Sequence, residues 1–258
     1  MENLFEIEDL TFAYDDRPVL RHLNVNIKKG KVTTIMGSNG CGKSTLFSLM
    51  TKNLTPLGGR ILLKNTDIAE LSLKAYAKEV AIVHQYNRAP DDLTVEKLVE
   101  YGRTPYRKLG GSIDEDLDRQ MVIRALKITG TYPFKDKNIA ELSGGQRQRV
   151  WIAMALAQGT DTIFLDEPTT YLDIRYQIQL LRLIKNLNRK YGTTIIMVLH
   201  DINQAINYSD EIIALSPEGK LVVQGKPEEV INTQSLEQIF GISLPVKDYE
   251  GKPYAILY

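Results

Sequence analysis

Val32-Thr-Thr-Ile-Met36, Gly37-Ser38-Asn39-Gly40-Cys41-Gly42-Lys43-Ser44 and the continuation Thr45 to Met50 form the stretch on which the fold turns. A compact apolar run stops at Gly37, opens into a glycine-rich loop and passes into a segment of helical composition, which reads as strand, loop, helix. The loop fits Gly-x-x-x-x-Gly-Lys-Ser/Thr in the strand-to-helix context that gives this pattern meaning. Its glycines let successive backbone N–H groups turn inward around a phosphate, and the helix N-terminus behind them adds partial positive charge. In that geometry Lys43 reaches the β- and γ-phosphates as a point charge and the Ser44 hydroxyl ligates Mg²⁺.

Outward from the loop, apolar residues alternate at Phe5/Ile7 and Leu23/Val25/Ile27, so the first ~30 residues read as strands with one wet face. Further strands are expected at Ile61 to Leu63, Val80 to Val83, Thr162 to Leu165, Thr194 to Leu199, Glu211 to Leu215 and Leu221 to Val223. Several are continuous apolar runs, as in parallel strands buried on both faces. From about residue 90 to 158 the pattern turns helical, with Thr94 to Tyr101, Glu115 to Ile128 and Gly144 to Gln158 as helices. The fold class is therefore α/β with a helical insertion. Tyr106 to Ser112 reads as a surface loop, and Gly241 to Tyr258 as a short unpatterned close.

Composition narrows the function. The 258 residues balance 32 Lys+Arg with 32 Asp+Glu, so no bulk positive charge draws the chain to nucleic acid or anionic lipid. The cluster Arg103, Tyr106, Arg107, Lys108 is the one candidate basic-aromatic patch, read as a solvated helical face. A single cysteine, Cys41, excludes a disulfide framework and fits a reducing compartment. The N-terminus carries no export pattern, and apolar runs such as Ile195 to Leu199 fall far short of the ~20 residues that span a bilayer.

Two further motifs carry chemistry. Thr162-Ile-Phe-Leu-Asp166-Glu167 is an apolar strand ending in two acids: the first can accept from a metal-bound water, the second can lean on an attacking water. Leu142-Ser143-Gly144-Gly145-Gln146 opens a helix with Ser143 as N-cap, its glycines allowing close approach of another backbone. The phosphate loop, Leu142 to Gln146 and Asp166-Glu167, in this order, resemble the nucleotide-binding subunits of ABC transporters over essentially the whole chain. The resemblance implies a P-loop NTPase (ABC ATPase) core over 1–88 and 160–240, with an N-terminal antiparallel β-subdomain. It also implies an inserted helical subdomain over 89–159 and a tail over 241–258.

By the same resemblance the cofactors are ATP and Mg²⁺. Gly37, Ser38, Asn39, Gly40, Cys41, Gly42, Lys43, Ser44 and Thr45 bind nucleotide, and Tyr14 stacks on adenine, with Phe12 or Tyr14 as a plain core aromatic the alternative. Glu167 is the catalytic carboxylate, His200 the switch histidine on the γ-phosphate, and Gln85 the Q-loop glutamine. Ser44, Gln85 and Asp166 hold Mg²⁺. Ser143, Gly144, Gly145 and Gln146 complete the site in trans, and Leu172-Asp173 matches the D-loop, where the bulky Tyr171 departs from the small residues usual there. Since the chain holds one copy of each motif, hydrolysis requires a homodimer.

Tyr101 to Tyr106, Gln146 to Met154, Leu199 to Ala205 and Leu236 to Ile242 are similar in wording to the importer group for ferric siderophores, haem and vitamin B12. That implies an ATP-hydrolysing importer motor at the cytoplasmic face of the membrane, with two permease subunits, an extracytoplasmic solute-binding protein and no nucleic acid. Iron(III) chelates lead; haem, vitamin B12, another metal or small solute, and a soluble non-transport ATPase are the alternatives. The docking groove for the permease is expected along Gln85 to Tyr106. Cys41 inside the loop predicts that alkylation blocks ATP.

Overall fold

Two burial patterns, one alternating and one continuous, sort the strands. The computed structural model describes residues 2–107 and 114–257. Its strands are β1 (Asn3–Tyr14), β2 (Arg17–Lys28), β3 (Val32–Gly37), β4 (Gly58–Leu63), β5 (Thr66–Asp67), β6 (Val80–Val83), β7 (Thr162–Leu165), β8 (Thr194–Val198), β9 (Glu211–Leu215), β10 (Leu221–Gly225), β11 (Val246–Tyr249) and β12 (Lys252–Ala255). The helices are α1 (Lys43–Met50), α2 (Leu73–Tyr76), α3 (Val95–Glu100), α4 (Glu115–Thr129), α5 (Gly144–Ala157), α6 (Ile174–Tyr191), α7 (Ile202–Tyr208), α8 (Pro227–Val230) and α9 (Thr233–Phe240). The chain divides into two compact units, Met1–Leu71 with Thr194–Tyr258, and Ser72–Thr193.

In the first unit β2, β1, β4 and β5 form an antiparallel sheet in that order. Register sets Phe5 against Ile27 and Ile7 against Val25; these four and Leu23 are at most 2% exposed, while Asn24 and Asn26 face solvent. The alternation read from the first thirty residues is this sheet's pleat. Beside it in the chain, β3 runs parallel to both β8 and β9, and β10 pairs antiparallel with β9. Every residue of β3, β8 and β9 is buried, the reason these segments are largely apolar. Among their polar side chains, Thr34 Oγ1 lies 2.5 Å from Ser209 Oγ and Glu211 pairs with Lys28, whereas the buried Thr33 Oγ1 has no hydrogen-bond partner among the described residues.

The tail differs from its reading. β11 and β12 form a hairpin with Val246 opposite Ala255. An isolated two-stranded hairpin is marginal in water, and this one is held by Asn203 of α7, whose amide donates to the Ala255 carbonyl at 3.0 Å and accepts from its N–H at 3.0 Å. A strand pair anchored by a side chain from elsewhere leaves no pattern of its own to read.

In the second unit β6 and β7 pair in parallel, Val80 with Thr162 through Val83 with Leu165, and the rest is helical. The expected helices are present as α3, α4 and α5, and α6 adds a buried stripe of Leu180, Leu181, Ile184 and Leu187 at helical spacing. Arg103, expected on a solvated face, is 4% exposed. Its Nε donates to Asp118 Oδ1 at 2.7 Å and its Nη1 to the carbonyls of Ala157 and Gln158 at 2.9 and 3.0 Å, with the guanidinium 4.1 Å from the Tyr106 ring centroid. One side chain thus ties residues 101–106 to α4 and to the end of α5. Arg107 is exposed, whereas Lys108 and most of the expected loop Tyr106 to Ser112 lie outside the described residues.

Candidate functional site

The loop after β3 is shaped by exclusion of side chains. A Cβ at Gly37, where φ is 153°, would stand 2.6 Å from Cys41 Sγ and 2.8 Å from the Leu215 carbonyl oxygen; at Gly42, φ 101°, it would stand 2.8 Å from Leu20 Cδ2. Neither position tolerates another residue without movement of its neighbours. Lys43 is 5% exposed, and its Nζ donates to the Gly37 and Ser38 carbonyls at 3.0 and 2.9 Å. The ammonium is thereby held against the loop by two neutral acceptors that a phosphate oxygen outcompetes. Ser38 Oγ is buried with no hydrogen-bond partner among the described residues. A buried hydroxyl left so costs about 1–3 kcal/mol, and an anion in the loop would satisfy it. The loop's own atoms therefore fit a phosphate.

Asn39, Gly40 and Ser44 are exposed, with Thr45 buried behind them. Cys41, at which alkylation is expected to block ATP, is 1% exposed, and burial pushes its pKa up against the opposing pull of Lys43. Tyr14 and Phe12 separate cleanly. Phe12 is the core aromatic at 7% exposed and Tyr14 is 50% exposed, its ring edge-on to Phe12 with centroids 5.0 Å apart. His200 is exposed at the end of β8, and the next residue, Asp201, caps α7 by accepting from the Gln204 N–H at 2.7 Å.

The second unit carries the acids. The Asp166 N–H donates to the Val83 carbonyl at 2.9 Å, extending the β6–β7 ladder by one bond and aligning the ends of both strands. Just past them Gln85 Nε2 donates to Glu167 Oε2 at 2.6 Å, and Thr170 Oγ1 donates to the same oxygen at 3.2 Å. Gln85 and Glu167, read separately from sequence, are thus in direct contact. Glu167 has φ 46°, a left-handed conformation costing a non-glycine residue roughly 1–2 kcal/mol and characteristic of functional positions. Among the described residues no cluster of three or more His, Cys, Asp or Glu side chains could hold a metal ion. Ser44, Gln85 and Asp166 nevertheless offer oxygen donors, the chemistry a hard divalent cation takes.

Ser143 is the N-cap of α5 as expected. Its Oγ accepts from the Gln146 N–H at 3.4 Å and its N–H donates to Gln146 Oε1 at 3.0 Å, a reciprocal box. The Ser143 hydroxyl keeps its own proton to donate outward. Within the chain a Cβ at Gly145 would lie 2.6 Å from the Tyr176 ring, whereas at Gly144 the nearest atom is Leu172 Cδ2 at 3.8 Å. What approaches Gly145 is an α6 aromatic ring. Asp173 caps α6, accepting from the Tyr176 N–H at 3.0 Å. Tyr86 and Gln177 carry no signal in the sequence, and Thr170 stands out there only, with Tyr171, as a departure from the small residues usual in the D-loop. Gln177 Nε2 donates to the carbonyls of Thr169 and Leu172 at 3.3 and 3.0 Å, contacts with no residue-spacing signal. A groove of about 510 Å³ adjoins these residues, lined by Gln85, Arg88, Asp91, Arg147, Trp151 and Tyr171 among others.

Comparison with known proteins places this geometry. The ABC transporter sequence profile matches residues 20–170. The chain is 42% identical over 258 residues to the iron(3+)-hydroxamate import ATP-binding protein of Bacillus subtilis, covering 99% of this chain and 95% of that one. It is 42% identical over 241 residues to the ferric enterobactin transport ATP-binding protein of Escherichia coli, covering 93% and 88%. Among solved structures it superposes with a TM-score of 0.73, at 30% identity and with 86% and 98% covered, on a dimeric ATP-binding cassette in a post-hydrolysis state bound to ADP and Pi.

Proposed function

The chain belongs to the ABC transporter family, and from that premise we propose that it is the ATP-hydrolysing motor of an importer for iron(III)-siderophore chelates. The observation that carries the cargo is the end-to-end likeness to an import protein for a ferric chelate, at 42% identity over 99% of the chain. ATP binding and hydrolysis follow from the family.

The loop Gly37 to Thr45 holds the triphosphate, Lys43 turning its ammonium from the Gly37 and Ser38 carbonyls to the β- and γ-phosphates. Tyr14 stacks on adenine. Ser44, Gln85 and Asp166 would hold Mg²⁺, which when bound neutralises phosphate charge. Glu167 orients and deprotonates the attacking water once the Gln85 amide releases its carboxylate. His200 contacts the γ-phosphate.

Two copies of the chain sandwich the nucleotide. Ser143, with its hydroxyl proton available, and Gly144, Gly145 and Gln146 at the start of α5 receive the γ-phosphate held by the partner's loop, so that γ-phosphate binds the dimer and its loss opens it. Asp173 lies on the same contact. By function the chain is divided into a core over 1–88 and 160–240, a helical subdomain over 89–159 and a tail over 241–258. Among the described residues no helix is long and apolar enough to cross a membrane. The likeness to import ATP-binding proteins supports docking on two permease subunits, at the cytoplasmic face. The groove beside Gln85 seats the permease, and an extracytoplasmic solute-binding protein delivers cargo.

A deletion strain grown on single iron sources tests the cargo. Loss of growth on one ferric siderophore, restored by the intact gene and not by Glu167→Gln, is the expected result. Unimpaired growth on every chelate, with a defect on haem or vitamin B12, would transfer the motor to that importer.

A further inference from the structure

The segments after β6 and β7 are joined twice. The inner contact is Gln85 Nε2 to Glu167 Oε2. The outer one lies between their sequence neighbours, where the hydroxyls of Tyr86 and Tyr171 are 2.8 Å apart with ring centroids 6.1 Å apart at 43°. Both tyrosines are strongly exposed, 68% and 80%, so apolar burial does not explain why two large rings meet there. Tyr171, like Glu167, has a left-handed backbone, φ 64° and 46° respectively. These two residues bracket a short turn that also contains Thr170, whose hydroxyl touches the Glu167 carboxylate. A turn with such a residue at each end keeps one shape only when something outside it holds it.

We propose that Tyr86 and Tyr171 are positioning residues: their hydroxyl–hydroxyl bond clasps the turn 167–171 to the segment after β6 and so fixes where Gln85 and Thr170 hold the Glu167 carboxylate. The clasp rests on the reading of Glu167 as the carboxylate that handles the attacking water. It acts on hydrolysis through the orientation of that group and leaves the phosphate loop untouched. Both rings being exposed, loss of one hydroxyl costs the fold little.

The test compares Tyr86→Phe, Tyr171→Phe, the double variant and Glu167→Gln in full-length protein, reading kcat, KM for ATP and thermal midpoint. Each single variant is expected to lower kcat roughly 2- to 10-fold, the worth of one hydrogen bond, with KM and thermal midpoint unchanged. The double variant should fall no further than either single one, since one bond is lost in all three. Unchanged kcat in both single variants, effects that multiply in the double, a KM rise at constant kcat, or a thermal midpoint that falls with kcat would each overturn the clasp. If Glu167→Gln is inactive while the tyrosine variants are normal, the clasp alone fails. Normal turnover in Glu167→Gln instead removes the reading on which the clasp rests.

Discussion

The phosphate loop and the turn after β7 hold their shapes by opposite means. In the loop Gly37 and Gly42 sit where a Cβ would collide with Cys41, Leu215 or Leu20, and a lysine 5% exposed is bonded to the loop's own carbonyls. The turn has Glu167 and Tyr171 in left-handed conformations and depends on side-chain hydrogen bonds from Gln85, Thr170 and Gln177. Steric exclusion makes a rigid cradle that needs no ligand to form. A few replaceable hydrogen bonds make a segment that can rearrange, as a catalytic group engaged by Gln85 must do before it can take a water.

Glu167→Gln separates the two most sharply. The amide can still accept from Gln85 but cannot take a proton, so ATP affinity should be unchanged while hydrolysis falls roughly 10²- to 10⁴-fold, the worth of a general base. The variant should also persist as an ATP-bound dimer, visible by size exclusion. Turnover near that of the native protein would show that the turn does not do the chemistry. The complementary change is Lys43→Ala, which removes the one charge the cradle presents and should weaken ATP binding by about 100-fold or more in an equilibrium titration. Retained affinity would mean that the glycine backbone alone holds the phosphates.

Arg103→Ala probes rigidity away from both. The Arg103–Asp118 pair is mostly buried, 5% and 14% exposed at the side chains, and truncation also strands the carbonyls of Ala157 and Gln158. Breaking a fully buried pair costs about 3–5 kcal/mol; the residual exposure of Asp118 lowers the expectation to about 2 kcal/mol, a fall of several degrees in Tm. ATP turnover per folded molecule should stay level. A loss of turnover without a change in Tm would tie Arg103 to the catalytic turn and blur the contrast.

The same contrast explains what could be read in advance. The loop was legible because its function imposes residue types at fixed spacing, and β3, β8 and β9 because burial on both faces writes largely apolar runs. Contacts set by tertiary approach were not legible. Nothing local marks Gly145 as room for the Tyr176 ring, Arg103 as a buried peg, or Asn203 as the anchor of the tail hairpin. Gln85 and Glu167 were each identifiable, but their bond joins residues 82 apart in the chain, and only the parallel register of β6 and β7 brings them together.

Cys41 gives the smallest and most local test of the rigid side. Within a nucleotide loop a lone thiol suggests easy inhibition by alkylation, yet this one is 1% exposed and its pKa is raised by burial, with Lys43 only partly opposing. The thiolate is the nucleophile. At neutral pH the native protein should therefore react far more slowly than free cysteine, and the rate should climb as pH rises through the raised pKa, with ATP slowing it further. Because the Sγ lies where a Gly37 Cβ would collide with it, the reagent can enter only if the loop opens, so the rate reports loop opening directly. Cys41→Ser should hydrolyse ATP normally and be indifferent to the reagent. Rapid stoichiometric modification of folded protein at pH 7 would mean that the cradle breathes as freely as the turn, and the division into a rigid binding half and an adjustable catalytic half would no longer hold.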